Sequence, residues 1–158
     1  MNIVLFGATG LIGKRIAAEA LQRGHEVTAV VRDRARADEI GLMRLVPTDS
    51  KKAGHLTLAE GDILVPDAIA RLVQGKDLVI SAYGPRFGEE DELQEATRSL
   101  IEGVKRGGVR RLIAVGGAGG LEVAPSVRLM DTPEDYAAAL LDEAEDPYYI
   151  GARFTVGY

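Results

Sequence analysis

The chain has 158 residues, 46% of them apolar and 27% charged, as in one ordinary globular domain. Its formal net charge of −5 excludes nucleic-acid binding as the main activity, because that activity depends on a basic excess. The absence of cysteine excludes disulfides, thiolate metal sites and cysteine catalysis. No apolar run reaches the ~20 residues of a membrane span, and no signal-peptide pattern opens the chain. We therefore expect a cytoplasmic protein that has no membrane contact.

The first element is an apolar, strand-like run at residues 2–6, followed by glycines in the spacing G-x-x-G-x-x-G and by a helical pattern. A strand, a glycine turn and a helix in this order are the context in which such a triad binds a dinucleotide. Glycine permits the sharp turn, brings backbone N–H groups against a diphosphate and lets the helix pack closely on the sheet. The alternative is a glycine-rich turn without a ligand. The predicted cofactor contacts are Gly7, Thr9, Gly10, Leu11, Ile12 and Gly13.

A helix over residues 11–23 and a strand over residues 27–31 come next, with Gly24 between them as a helix stop. The strand is too continuously apolar for a sheet with one face in water, so we expect both of its faces to be covered. The apolar face of the helix consists of Leu11, Ile12, Ile16, Ala17, Ala20 and Leu21.

The second strand runs directly into Arg32, and Arg34 and Arg36 follow. An arginine at this point binds the 2′-phosphate of NADP(H), whereas an NAD(H) site presents Asp or Glu to the ribose hydroxyls. The planar guanidinium matches a phosphate through paired, charge-assisted hydrogen bonds. We therefore favour NADP(H) over NAD(H). Asp33 is the feature that leaves NAD(H) as an alternative cofactor. The alternative explanation for the arginines is that they belong to the solvent-exposed start of a helix.

The later elements continue the alternation. Residues 34–53 predict a short helix and a loop, and strands are predicted over residues 56–60, 77–82 and 111–115. Helices lie between these strands, one opened by Pro66 and one that begins near Asp91. Parallel strands joined by helical crossovers predict an α/β fold, namely a Rossmann-type doubly wound, mainly parallel sheet with helices on both faces. We expect one NAD(P)-binding domain over residues 1–158.

The distinctive polar and glycine clusters all follow strands. In such sheets, ligands bind beyond the carboxyl ends of the strands, where the strand order reverses. Asp62 is expected to bond near the adenine, with Ile63 beside the ring, although a turn cap is the alternative for Asp62. His25 and His55 have no partners at metal-ligand spacing, so we expect no metal site. The other candidate cofactor contacts are Ser81, Ala82, Tyr83 and Gly84 after the fourth strand, and Gly116 and Gly117 after the fifth.

In this order the motifs resemble the NmrA-like branch of the atypical short-chain dehydrogenase/reductases. That branch includes proteins described as NADH-flavin reductases and is close to the flavin/biliverdin reductase B type. The resemblance covers residues 1–133, resumes at residue 134 and continues to residue 158. It rests on residues 7–13, 31–32, 60–62, 81–84 and 115–119.

The chain departs from the larger superfamily in its catalytic residues. Typical members use Tyr-x-x-x-Lys with a Ser, but the tyrosines at positions 83, 136, 148 and 149 have no lysine four positions later. The residues at those positions are Phe87, Leu140, Ala152 and Arg153. A proton-relay dehydrogenase is therefore not expected. Flavin reduction needs no such triad, because the acceptor can take its proton from solvent.

The resemblance implies a small-molecule substrate and a monomer or homodimer. The favoured hypothesis is an NADPH-dependent reductase of a small planar acceptor, for which a flavin and a quinone are the candidate substrates. The catalytic residues are unknown, and Tyr83 and Phe87 are the substrate-side candidates. The first alternative is a non-catalytic NAD(P)-binding redox sensor of the NmrA type, acting on a protein partner. The second is a protein similar to sugar-nucleotide epimerases.

A second departure lies at the bond between residues 133 and 134. In relatives, a helix, a strand and a substrate-side loop stand at this point, so a segment on the order of fifty residues is missing here. Either the unit was lost by deletion, or the natural chain has residues that this sequence omits, and we favour the second. Residues 134–141 then predict a helix, and residues 154–156 predict a late strand.

Overall fold

We describe a computed structural model that covers residues 1–45, 54–85, 90–116, 122–124, 127–128 and 133–152. The main strands are β1 (Asn2–Phe6), β2 (Glu26–Val31), β3 (Leu56–Glu60), β4 (Leu78–Ser81) and β5 (Leu112–Ala114). The helices are α1 (Leu11–Gln22), α2 (Arg34–Glu39), α3 (Pro66–Val73), α4 (Glu90–Gly107) and α5 (Pro133–Glu145), with a short 3₁₀ helix at Leu42–Leu45. A hairpin of β6 (Glu122–Ala124) and β7 (Val127–Arg128) was not predicted.

The five main strands form one all-parallel sheet in the order β3-β2-β1-β4-β5. The chain builds outward from β1 to β3 and then crosses back to place β4 on the other side of β1. The strand order therefore reverses between β1 and β4, which is the switch point of a doubly wound sheet. This order confirms the predicted Rossmann-type fold.

Successive residues of β1 point to opposite faces of the sheet and divide the core into two layers. Ile3 and Leu5 pack in the layer that holds α1 and α5, and Val4 and Phe6 pack in the layer that holds α3 and α4. All four side chains are buried. The continuous apolar run at the N-terminus is thus explained by a central strand that is covered on both faces.

The structure differs from the sequence-based expectations at Leu11 and in the lengths of two strands. Leu11 was expected on the buried face of the first helix, but its side chain is 63% exposed. It is the first residue of α1 and is followed by the half-buried Ile12 and the buried Gly13, so the packed face begins one residue later than expected. Strands β4 and β5 are also shorter than predicted, because the outer residues of each predicted run make only single hydrogen bonds to the neighbouring strand.

Helix α5 packs beside α1 and is held by ionic contacts to distant parts of the chain. Arg111, just before β5, donates to the Ala144 carbonyl at 2.8 Å and to the buried Glu143 carboxylate at 2.9 Å. The same carboxylate accepts the N–H groups of Tyr148 and Tyr149 at 3.1 Å. The helix predicted over residues 134–141 lies within α5. The strand predicted over residues 154–156 lies outside the described residues.

None of the helices in the described part of the chain combines the length and apolar character that a membrane crossing requires.

Candidate cofactor site

The carboxyl ends of the parallel strands form one row along an edge of the sheet. Phe6 at the end of β1 pairs with Val30 on one side and with Ser81 on the other, and Ser81 pairs with Ala114. The loops that follow these strands must therefore leave the sheet side by side. The row brings the residue clusters predicted after separate strands to the same edge, as expected for a parallel sheet.

The three glycines after β1 differ in what surrounds them. Gly7 has a φ of 78°, and a Cβ added there would lie 2.4 Å from the carbonyl oxygen of Ala82. A Cβ added to Gly13 would lie 2.1 Å from the carbonyl oxygen of Gly7. Both positions are therefore glycine because the fold itself requires it.

Gly10 has no such structural requirement. Its φ of −76° and ψ of 169° suit any residue, and an added Cβ would meet only the Gly7 oxygen, at 3.4 Å. The space beside Gly10 is thus not filled by the described part of the protein. An approaching diphosphate would occupy that space, which provides a reason for glycine at this position that the fold does not.

The first turn of α1 is suited to an anion. Gly10 is the N-cap and provides no side-chain cap, and the first turn carries no acidic residue. The first helical hydrogen bond runs from the Lys14 N–H to the Gly10 oxygen at 3.0 Å, so the N–H groups of residues 11–13 have no intrahelical acceptor. These donors lie at the positive end of the helix dipole. The exposed Thr9 and Leu11 flank them.

The arginines after β2 separate into two groups. Arg34 and Arg36 are exposed residues of α2, which agrees with the alternative explanation of a solvent-exposed helix start. Asp33 is the N-cap of α2, and its Oδ1 accepts the Arg36 N–H at 3.2 Å. Arg32 precedes this cap, and its side chain remains 55% exposed at the edge of the sheet. Arg32 is therefore the arginine nearest to the end of β2, while one oxygen of the Asp33 carboxylate caps α2.

The residues after β3 are partly used by the fold. Asp62 Oδ1 accepts the Leu64 N–H at 2.9 Å, which is the turn contact considered as the alternative for this residue. The Ile63 side chain is 5% exposed and packs in the core with Phe6 and Val30. The Ile63 side chain is therefore not presented at the edge, whereas Asp62 stays half-buried beside it.

Tyr83, after β4, is held by a carboxylate that the sequence analysis did not single out. Its backbone N–H donates to the hydroxyl of the buried Ser81 at 3.4 Å, and its phenol donates to Glu92 Oε1 near the start of α4. Burial, and then the hydrogen bond to Glu92, raise the pKa of Tyr83 to about 12. Arg32 acts in the opposite direction on the pKa of this phenol, while its Nη1 lies 3.9 Å from Glu92 Oε1.

Glu92 was missed because it is one of four consecutive acidic residues, 89–92, and nothing in their spacing distinguishes one that faces the sheet edge. Only the position of α4 relative to β4 identifies it.

The remaining candidates lie on the open side of the edge or outside the described ranges. Ala82 continues the ladder from β4, donating its N–H to the Phe6 oxygen at 2.9 Å. Gly84 and Gly116 are exposed, and a Cβ added to either would meet no atom within 4 Å. Gly117 and Phe87 lie outside the described residues. Within those ranges, no group of His, Asp and Glu side chains is arranged to hold a metal ion.

Comparison with known proteins places this geometry in a family. Residues 7–149 match the family described as NAD(P)H-binding. The uncharacterized protein YwnB of Bacillus subtilis is 38% identical over 136 residues, which are 85% of this chain and 56% of that protein. The 3-diazoavenalumate denitrifying reductase of a Streptomyces species is 30% identical over 72% of this chain and 37% of its own length. This chain thus spans about half, or less, of the length of these curated relatives.

A solved structure agrees over nearly the whole chain. A Bacteroides thetaiotaomicron protein, assigned provisionally to the epimerases, superposes with a TM-score of 0.74 at 30% identity. The superposition covers 99% of this chain and 96% of that one.

Proposed function

Because the chain belongs to the NAD(P)H-binding family, we propose that it binds NADPH at the carboxyl edge of the sheet and reduces a small planar acceptor such as a flavin or quinone. The observation that carries the proposal is the open space at Gly10, beside helix donors that have neither a side-chain cap nor an acidic neighbour. Gly7 and Gly13 are fixed by packing, so only Gly10 needs a ligand to explain it. The diphosphate would bind to the N–H groups of residues 11–13.

The proposed preference for NADPH rests on Arg32. Its guanidinium is half-exposed at the end of β2, where the adenine ribose lies in folds of this kind. The neighbouring Asp33, the residue that would favour NADH, caps α2 with one of its carboxylate oxygens. Asp62 remains near enough to contribute to recognition of the adenine half.

The nicotinamide, when bound, would supply a hydride to the acceptor, and the acceptor would take its proton from water. The side chains described here hold and orient the cofactor rather than move that proton. Tyr83 donates its hydroxyl hydrogen to Glu92 and keeps it at neutral pH, so it does not act as a base. This arrangement agrees with the absence of a Tyr-x-x-x-Lys pair and weakens the epimerase alternative. The Streptomyces relative, which is named as a reductase, supports the direction of the chemistry.

The same lack of an acid–base pair favours a second candidate, a non-catalytic NAD(P) sensor that acts on a protein partner. The test is NADPH oxidation by the purified chain with FMN, riboflavin and small quinones as acceptors. Turnover above the rate without protein supports the reductase. Tight binding of NADPH without turnover of any acceptor supports the sensor, and absence of binding refutes both.

We also propose that the natural chain carries a further unit at the 133/134 bond. Leu112 and Ile113 in β5 are half-buried, whereas every residue of β4 is buried, as expected if an additional strand covers the β5 edge. A peptide map of the protein isolated from its natural source tests this proposal. Additional residues between 133 and 134 support it, and a peptide in which residue 134 directly follows residue 133 shows a true deletion and favours the sensor.

A further inference from the structure

Glu92 lies at a point where two cofactor-site side chains meet. It is the third residue of α4, and its side chain is 23% exposed. The Tyr83 hydroxyl donates to Oε1, the same oxygen that faces Arg32. The phenol therefore holds a carboxylate near the ends of β2 and β4, where the proposed cofactor would bind.

The contact with Arg32 is one of charge rather than a close hydrogen bond. The distance from Nη1 to Oε1 is 3.9 Å, beyond hydrogen-bonding range. The guanidinium thus keeps its donors available for a phosphate. Its positive charge is nonetheless partly offset by Glu92, and the charge of Asp62 also reaches this region, since it acts on the pKa of Tyr83.

We propose that Glu92 is a specificity-determining residue that tempers the preference of Arg32 for the 2′-phosphate and so lets the site accept NADH as well as NADPH. The inference rests on the proposed function. A 2′-phosphate that approaches Arg32 meets the negative charge of Glu92, which weakens its binding. A 2′-hydroxyl carries no charge to be repelled. The same residue therefore lowers the affinity for one cofactor without lowering the affinity for the other.

The direct test is Glu92→Gln, measured by titration with NADPH and with NADH. Glutamine retains a carbonyl oxygen to accept the Tyr83 hydrogen bond and removes only the charge. Glu95→Gln is the matched control, because Glu95 is an exposed residue on the same helix and its loss changes the net charge equally. We expect the Kd for NADPH to fall about fivefold in Glu92→Gln, the effect in water of one unit charge on a phosphate dianion about 8 Å away, on the far side of the guanidinium. The Kd for NADH should not fall, and Glu95→Gln should change neither value by as much as twofold.

A double-mutant cycle with Arg32→Gln tests whether the effect of Glu92 on NADPH binding depends on Arg32. Because Arg32 is the residue that brings the 2′-phosphate close to Glu92, the gain in NADPH affinity caused by Glu92→Gln should shrink when the arginine is absent. The inference is overturned if Glu92→Gln lowers the NADPH Kd equally with and without Arg32. It is also overturned if the ratio of the NADPH Kd to the NADH Kd is the same in Glu92→Gln as in Glu95→Gln. Either result leaves the proposed binding of NAD(P)H intact. Failure of the unmodified protein to bind either cofactor refutes the proposed function, and this inference with it.

Discussion

Replacement of Gly10 by valine separates the role of a glycine in the fold from its role toward a ligand. The backbone at Gly10 is extended, so valine adopts it without strain, and its Cβ would lie 3.4 Å from the Gly7 oxygen, an ordinary contact. The isopropyl group would fill the space proposed for the diphosphate. Gly13→Val is the contrasting variant, because its Cβ would lie 2.1 Å from the same Gly7 oxygen.

The two substitutions therefore differ in both magnitude and kind. Valine is a poorer N-cap than glycine, so Gly10→Val should lower the free energy of unfolding by ~1 kcal/mol, which is about 2–4 °C in Tm for a chain of this size. Loss of two charge-assisted hydrogen bonds to the diphosphate should weaken NADPH binding by about 3 kcal/mol or more, at least a hundredfold in Kd. Gly13→Val forces α1 away from the β1 loop, and overpacking of this kind costs about 1–3 kcal/mol or more.

The assay combines thermal unfolding with fluorescence titration of NADPH for the unmodified protein, Gly10→Ala, Gly10→Val and Gly13→Val. We expect the affinity for NADPH to fall in the order glycine, alanine, valine at position 10, while Tm falls by no more than about 4 °C. For Gly13→Val, the main effect should be a fall in Tm. An NADPH Kd in Gly10→Val equal to that of the unmodified protein would show that the diphosphate does not lie against this loop.

Three further predictions concern Arg32, the ionic contact that holds α5, and the titration of Tyr83. Arg32→Gln should raise the Kd for NADPH about tenfold, from one lost charge-assisted hydrogen bond, and should change the Kd for NADH much less; equal losses would show that Arg32 does not bind the 2′-phosphate. Arg111→Gln leaves the buried Glu143 carboxylate without its cation and should lower the free energy of unfolding by about 3 kcal/mol. Arg106→Gln, in the exposed pair with Asp67, should lower it by less than ~1 kcal/mol. Comparable losses for the two variants in chemical denaturation would contradict this account of α5. Because the folded-state pKa of Tyr83 is raised, its contribution to stability is complete below pH ~10, its unfolded pKa, and is lost as the pH rises toward 12. The unmodified protein should therefore lose stability more steeply over that range than Tyr83→Phe, and parallel curves would exclude the shift.

The fold was predictable because its signals are local. Apolar runs, glycine stops and Pro66 at the start of α3 fix the elements, and their alternation permits few arrangements other than a parallel sheet. The match of residues 7–149 to the NAD(P)H-binding family confirms the resemblance drawn from the same motifs. Leu11 shows the limit of periodicity, because a helical pattern does not reveal where the helix begins to contact the sheet.

The roles of individual site residues were less predictable because they depend on contacts between distant parts of the chain. In the sequence, the three arginines after β2 are indistinguishable. The structure distinguishes them because Asp33 caps α2, so that Arg34 and Arg36 belong to the helix and Arg32 precedes it. Glu92 has no signature of its own and acquires a role through Tyr83, nine positions earlier. The distinction between Gly10 and the two structural glycines likewise depends on the position of the β4 loop and of α1.

The central claim, that the carboxyl edge of this sheet binds NADPH through the glycine loop and Arg32, is tested most directly by a crystal structure of the chain grown with NADP⁺. We expect the diphosphate beside Gly10, within hydrogen-bonding distance of the N–H groups that begin α1, and the 2′-phosphate against the Arg32 guanidinium. A cofactor bound at another edge, or one whose 2′-phosphate points into solvent away from Arg32, would contradict it.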